Sequence, residues 1–353
     1  WEQRKLGKLA EQFKSGINIK AENIYKTGKF PVYGGNGIRG YTNTYNHDGN
    51  FALIGRQGAL SGNMNYSVGK AYFTEHAIAV KANRENDTKF LFYLMNKLKL
   101  GKWVTQSAQP GLAVGVITEI RTSIPNKNEQ DKISHFFTHF DNTITLHQRK
   151  LDLLKQLKQG FLQQMFPQKE AKVPRVRFAN FEGEWEQCKL EQVIEKQIKG
   201  KAHLEKLSKG NVEYLDASRL NGGKALFTNG VKNVEKNDIL ILWDGSKAGT
   251  VYTGFSGALG STLKAYRTNI DSRFVYHFLK SQQKIIYENY RTPNIPHVQK
   301  DFLEIFEINI SPLEEQQRIG LFFKQLDETL ILYQLQIDKL KKCKTAFLQK
   351  MFI

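Results

Sequence analysis

Cysteine is nearly absent from this chain, with two in 353 residues. Cys188 and Cys343 sit in unrelated contexts, so neither a disulfide framework nor a zinc site follows, and a reducing cytoplasm is the expected compartment. Long apolar runs are missing too. Stretches such as Ile239–Trp243 fall far short of the ~20 residues that cross a bilayer, so no membrane is expected as a partner. The visible start, WEQRKLGK, lacks the shape of a signal peptide, and its opening on Trp rather than Met leads us to expect further sequence upstream. There is no Walker loop, no N-P-P-Y-type methyltransferase motif and no convincing nuclease cluster of acids with lysine. A Ser/His/Asp set has no local context to support it. Acidic residues are also scarce, at 34 against 52 Lys and Arg, for a net charge of +18. An excess of this size suggests a polyanionic partner, usually nucleic acid; a basic chain that docks on an acidic protein, or whose charge only keeps it soluble, is the alternative.

What the chain has is a repeat. Glu129–Phe166 and Glu315–Phe352 are identical at 18 of 38 positions without a gap. In the first copy Ile133, Phe137, Phe140, Ile144, His147, Leu151, Leu154, Lys158, Phe161 and Met165 follow a 4-3-4-3 spacing, and the second copy keeps it from Ile319 to Met351. This is the seam of helices packed at a shallow angle, with Lys158 and Lys344 breaking it at the same place. Each copy predicts one helix, or a short helix and a long one, of roughly 57 Å, and two equal seams predict that they pack on each other, antiparallel. Two amphipathic helices covering separate domains would also fit.

Trp1–Leu6 recurs as Trp185–Leu190, so the duplication covers the half-chain. Each half holds a variable domain with short strands, and then its helix. Expected strands include Phe30–Tyr33, Phe51–Ile54, Ala77–Val80, Val212–Leu215, Ile239–Trp243, Leu263–Tyr266 and Phe302–Ile310. Expected helices are Thr88–Leu100 and Ser272–Tyr287. The irregular order suits an α+β fold. The variable domains share few marks: Gly58/Gly62 with Gly245/Gly249, Phe90 with Phe274, and Gly16 with Gly200. The framework is held while the loops differ, as in two copies of one device reading two targets.

Several motifs weigh little. Gly35, Gly37 and Gly40 spell G-x-G-x-x-G, but a strand-like YTNTY follows where a dinucleotide site needs a helix. His135 and His139 have metal-ligand spacing, yet Leu321 and Gln325 replace them in the second copy. Asp141/Asp327 and Asp152/Asp338 recur, which fits helix support or partner contact better than catalysis. The loops Gly55–Asn63 and Trp243–Gly249 carry more. They follow apolar strands at matching places and mix glycine with side chains that read base edges. Thr105–Gly111 and Arg291–His297 form a second matched pair.

With two variable domains, a repeated EQxxI…FF…D…L…Q…LK…FLQ…MF helix, the WEQ-KL repeat and the lead-in VPRVRFANFEGEWEQCKL, the chain resembles the specificity subunits of type I restriction–modification systems over essentially its whole length. The resemblance implies a pseudo-twofold tandem repeat, in which two α+β target-recognition domains are separated by two long antiparallel, coiled-coil-like helices. Domain one would span 1–124, spacer one 125–168, a linker 169–184, domain two 185–310 and spacer two 311–353. Such a subunit is not catalytic and binds no cofactor. Each domain reads one half of an asymmetric split site in double-stranded DNA. The helices act as a spacer, setting domain centres about one turn of DNA apart, and dock two modification subunits. Those subunits carry the S-adenosylmethionine chemistry, and two restriction subunits use ATP and Mg. An enzyme with its own active site and a coiled-coil scaffold for acidic proteins are the rival classes. Expected readers of the first half-site are Asn36, Arg39, Arg56, Gln57, Asn63, Gln106 and Gln109. For the second they are Ser218, Arg219, Asp244, Ser246, Lys247, Arg291, Asn294 and His297, with Trp243 wedged or packed beside the DNA.

Overall fold

The computed structural model describes residues 1–104, 111–168, 171–293 and 296–352. The chain divides into two compact units, Trp1–Gln148 with Leu335–Ile353 as unit one and Arg149–Gln334 as unit two. Unit one runs through β1 (Glu2–Lys5), β2 (Ala10–Ser15), β3 (Phe30–Gly34), β4 (Gly37–Thr42), β5 (Phe51–Gly55), β6 (Met64–Ser67), β7 (Tyr72–Phe73) and β8 (Ala77–Ala82). Then come α1 (Thr88–Leu98), α2 (Val114–Thr118), β9 (Arg121–Ile124) and the start of α3 (Lys127–Gln164). Strands β2-β8-β5-β6 form an antiparallel sheet, β4-β3-β7 a smaller mixed one, and β1 pairs with β9.

Unit two follows the same plan. Its elements are β10 (Glu186–Lys189), β11 (Ile194–Lys199), β12 (Lys209–Leu215), α4 (Ala217–Leu220), β13 (Leu226–Thr228), β14 (Ile239–Leu242), β15 (Val251–Tyr252), β16 (Ala258–Leu259) and β17 (Leu263–Thr268). After them come α5 (Ser272–Ser281), α6 (Gln283–Asn289), α7 (Phe302–Ile305), β18 (Glu307–Ile310) and α8 (Leu313–Met351). The sheets are β11-β17-β14-β15, β13-β12-β16 and β10-β18, strand for strand those of unit one. Even the bulge between Ala10 and Gln12 recurs between Ile194 and Lys196. The unbroken apolar runs of β5 and β14 are buried along their whole length, as central strands covered on both faces must be. Gly16 and Gly200 mark one shared close approach: a Cβ would stand 2.1 Å from Phe73 O in the first case and 1.8 Å from Gly260 O in the second. No side chain fits there.

Two expectations from the sequence differ from the structure. Ser272–Tyr287 is two helices, because the chain breaks at Gln282 and the Gln283 side chain turns to the neighbouring loop. Its Nε2 donates to Gly249 O at 2.7 Å and its Oε1 accepts from Val251 N at 3.2 Å. Phe302–Ile310 starts as a helical turn, which stacks Phe302 on Phe306 with ring centroids 5.0 Å apart, before β18 begins. The G-x-G-x-x-G stretch is the β3–β4 hairpin, closed at Gly34 and Gly37.

The retained motif residues meet where helix and sheet join. In unit one Trp1, Phe90, Phe137 and Phe352 cluster, with Phe90–Phe352 at 5.3 Å and Phe137–Phe352 at 5.9 Å. Their counterparts Trp185, Phe274, Phe323 and Phe166 do the same in unit two, with Phe166–Phe274 at 5.5 Å and Phe166–Phe323 at 5.8 Å. Each unit therefore takes its last phenylalanine from the helix that ends in it. Sequence repeat and compact unit are cut differently because the helix segments within each unit run antiparallel. Phe136 meets Phe347 in unit one and Phe161 meets Phe322 in unit two. Asp87 and Asp271 cap α1 and α5. Gln130 and Gln316 in turn accept from the backbone N–H of those aspartates, at 3.0 and 3.4 Å.

The seam lysines are answered by the repeated aspartates. Lys158 pairs with Asp327 in unit two, and Lys344 pairs with Asp141 in unit one. Tyr93 donates to the other oxygen of Asp141 at 2.6 Å. His277 holds the equivalent place in unit two, buried and stacked on Phe323, with Nε2 3.8 Å from Asp327. Burial, with Lys158 and Lys280 nearby, pushes its pKa down to about 2, so the ring is neutral. Burial and Lys158 likewise lower Lys280 to about 8.

Candidate nucleic-acid interface

The matched loops after β5 and β14 have one backbone. Gly55 N donates to Asn63 O and Gly62 N to Gly55 O; in unit two Leu242 N donates to Thr250 O and Gly249 N to Leu242 O. Ser61 N donates to Gly58 O and Asn63 N to Leu60 O, answered by Ala248 N to Gly245 O and Thr250 N to Lys247 O. Four glycines make the turn possible. Gly58 and Gly62 have φ of +82° and +85°, and Gly245 and Gly249 have φ of +106° and +87°. These are left-handed conformations that cost a Cβ-bearing residue energy. The last residue of each loop of the second pair bridges to the first pair, Gln57↔Gly111 and Asp244↔His297. One loop skeleton thus appears twice, carrying different side chains.

The surroundings differ. In unit one the β3–β4 hairpin is tight and brings Asn36 to Asn63, whose Nδ2 lies 3.4 Å from Asn36 Oδ1. In unit two the β12–β13 connection is longer and carries α4. It opens a hollow of about 530 Å³ lined by Ser218, Asn221, Asp244, Ser246 and Lys247 among others. Asn36, Arg39, Gln57, Asn63, Ser218, Asp244, Ser246 and Lys247 are exposed, and Arg56 is half-buried.

Other expected readers are tied into the scaffold. Arg219 pairs with Glu213 and lies over Phe255. Arg291 donates to Tyr287 O at 2.8 Å and to Ser246 O at 3.3 Å, which braces the loop after β14. The backbone N–H of His297 donates to Thr292 Oγ1 at 3.3 Å. Trp243 is buried, with Lys264 Nζ 3.2 Å from its ring centroid. Burial and Lys199 lower the Lys264 pKa, and Asp244 opposes them. Lys264 escapes sequence reasoning, since it stands on a core strand outside any loop. Gln106, Gln109 and Asn294 lie outside the described residues. Lys and Arg exceed Asp and Glu in both units, by 24 to 12 in unit one and by 28 to 22 in unit two. Among the described residues no helix is long and apolar enough to cross a membrane.

The model of the family described as "Type I restriction modification DNA specificity domain" matches residues 1–156 and 182–342, and the chain belongs to that family. Over 147 residues it is 38% identical to the type I restriction enzyme EcoprrI specificity subunit of Escherichia coli, covering 40% of this chain and 36% of that one. Over 179 residues it is 33% identical to the MjaVIII specificity subunit of Methanocaldococcus jannaschii, covering 48% of this chain and 42% of that one. The chain thus spans well under half the length of these two relatives. The crystal structure of a type I restriction–modification S subunit from M. genitalium shares the fold. Its TM-score is 0.77 at 18% identity, over 100% of this chain and 96% of that one.

Proposed function

We propose that this chain is the DNA-reading, non-catalytic subunit of a type I restriction–modification assembly in the bacterial cytoplasm. Each unit reads one half of an asymmetric split site in double-stranded DNA. Lysines and arginines hold phosphates and set register, and loop side chains read bases. The paired helices, of 38 and 39 residues, set the unread gap and dock two modification subunits. Those subunits bring the S-adenosylmethionine chemistry, and two restriction subunits bring the ATP- and Mg-dependent steps. The observation that carries this reading is the twin loop: one hydrogen-bonded skeleton in both units, with different exposed side chains on it.

The test is to co-express the chain with its modification subunit and to sequence methylated sites genome-wide. A motif of two unlike halves around a gap of fixed length is expected. A continuous motif, or methylation without sequence preference, overturns the reading. DNA affinity should also fall steeply with salt, as counterion release requires. A scaffold for acidic proteins would bind no DNA.

A further inference from the structure

Resting on that reading, we propose that one backbone position in each unit, Gln57 in unit one and Asp244 in unit two, reads the edge of a base at equivalent places in the two half-sites. The amide and the carboxylate make the halves differ there.

The position stands between residues whose backbone is fixed. The residue before it is held on both sides. Arg56 N donates to His76 O at 2.9 Å and Arg56 O accepts from Leu112 N at 2.8 Å. In unit two Trp243 N donates to Thr262 O at 2.8 Å and Trp243 O accepts from Val298 N at 2.9 Å. His76 and Thr262 hold the same place, three residues beyond the ends of β7 and β16. The residue after it is the first left-handed glycine. Gln57 and Asp244 themselves bridge to the second loop. A side chain on so fixed a Cα loses little freedom on meeting a rigid partner.

Both side chains are exposed, and among the described residues neither makes a side-chain hydrogen bond or a close ion pair, though Asp244 stands near enough to Lys264 to raise its pKa. Two arginines near Asp244 in unit two are already used: Arg219 by Glu213, and Arg291 by Tyr287 and Ser246. Asp244 is the more telling of the two. In a chain with 52 Lys and Arg, a carboxylate on the presented loop opposes phosphate. It can only accept hydrogen bonds. What duplex DNA offers such an acceptor is an exocyclic amine, that of cytosine first and that of adenine second. Gln57 both donates and accepts, which matches the N6 and N7 of adenine. Asp244 also borders the hollow beside α4, where a base edge has room.

The experiment uses the full chain co-expressed with its modification subunit, and reads methylated sites genome-wide for wild type, Asp244→Gln, Asp244→Asn and Gln57→Asp. Asp244→Gln should change preference at one base pair of one half-site by about tenfold or more. Gln57→Asp should do so at one base pair of the other half, and the gap should stay fixed. An unchanged motif in all three variants overturns the assignment, as does a change in both halves from one substitution. Loss of all methylation in both Asp244→Gln and Asp244→Asn, with folding intact by circular dichroism, would place Asp244 in the scaffold and also overturn it. Failure of the wider reading is distinct, since the wild type would then give no split motif.

Discussion

The loops Gly55–Asn63 and Leu242–Thr250 share six paired backbone positions and almost none of their exposed side chains. The sheets beneath them share strand order and a bulge. What differs between the units is the connection beside the loop, a tight turn in one and α4 in the other. Form here is carried by peptide groups, glycines and buried contacts, which leaves the outward side chains free to vary. The contrast extends below the surface. Tyr93 and His277 occupy one place against Asp141 and Asp327, but only the tyrosine donates a short hydrogen bond. The lead-in segment sharpens it further. In unit two Arg177 clasps buried Glu315 at 2.7 and 2.8 Å, whereas in unit one Glu129 is exposed and accepts from Trp1 Nε1 at 3.0 Å.

That last difference should give the largest effect. Arg177→Ala strands a carboxylate in the interior and should cost about 3–5 kcal/mol. Glu129→Ala should cost at most about 1 kcal/mol. Amide hydrogen exchange of α5 and α1 checks both, and equal losses in the two units would remove the asymmetry. Next comes a symmetric pair: Gly16→Ala and Gly200→Ala should each destabilise by about 2–3 kcal/mol, because a Cβ meets backbone oxygen in either unit. Denaturant unfolding would show whether one is tolerated, in which case the shared skeleton is looser than its topology.

The smallest effect is acid sensitivity. His277 is held near 2, below its ordinary 6.5. Below pH 6.5 the unfolded chain takes up a proton that folded unit two refuses, so stability present above that pH is lost as pH falls. The loss is about 1.4 kcal/mol per pH unit, or about 2 kcal/mol at pH 5. His277→Tyr, which installs unit one's residue, should remove this loss. Urea unfolding at pH 7 and pH 5 measures it, and equal acid losses in wild type and variant would assign the sensitivity to other groups.

Much of the framework was legible because repetition marks it. The seam, the aromatic positions and the paired glycines all stand at matching places. Their partners were not legible. Lys158 and Asp327 lie 169 positions apart and Lys344 and Asp141 203 apart, so each looked like a local feature of its own helix. Within the loops, placement was readable but availability was not. Arg219, Arg291 and His297 have the chemistry of readers, yet their neighbours hold them. Lys264 is not legible because its strand position reads as core, and its unit-one counterpart is the buried Ile78. The break at Gln282 answers to a bond from Gln283 to a distant loop, which helical periodicity does not reveal.

The aromatic cluster has a consequence for how such molecules can change. Trp, three phenylalanines, and a glutamine holding the aspartate that caps a helix form the joint between sheet domain and long helix in both units. The joint works as a standard socket. Its parts are the same Asp-x-x-Phe helix start, tryptophan and helix phenylalanines in either unit, so the rest of each fold can differ without the joint differing. The helices meet one and the same seat in both units, whatever loops the sheets carry.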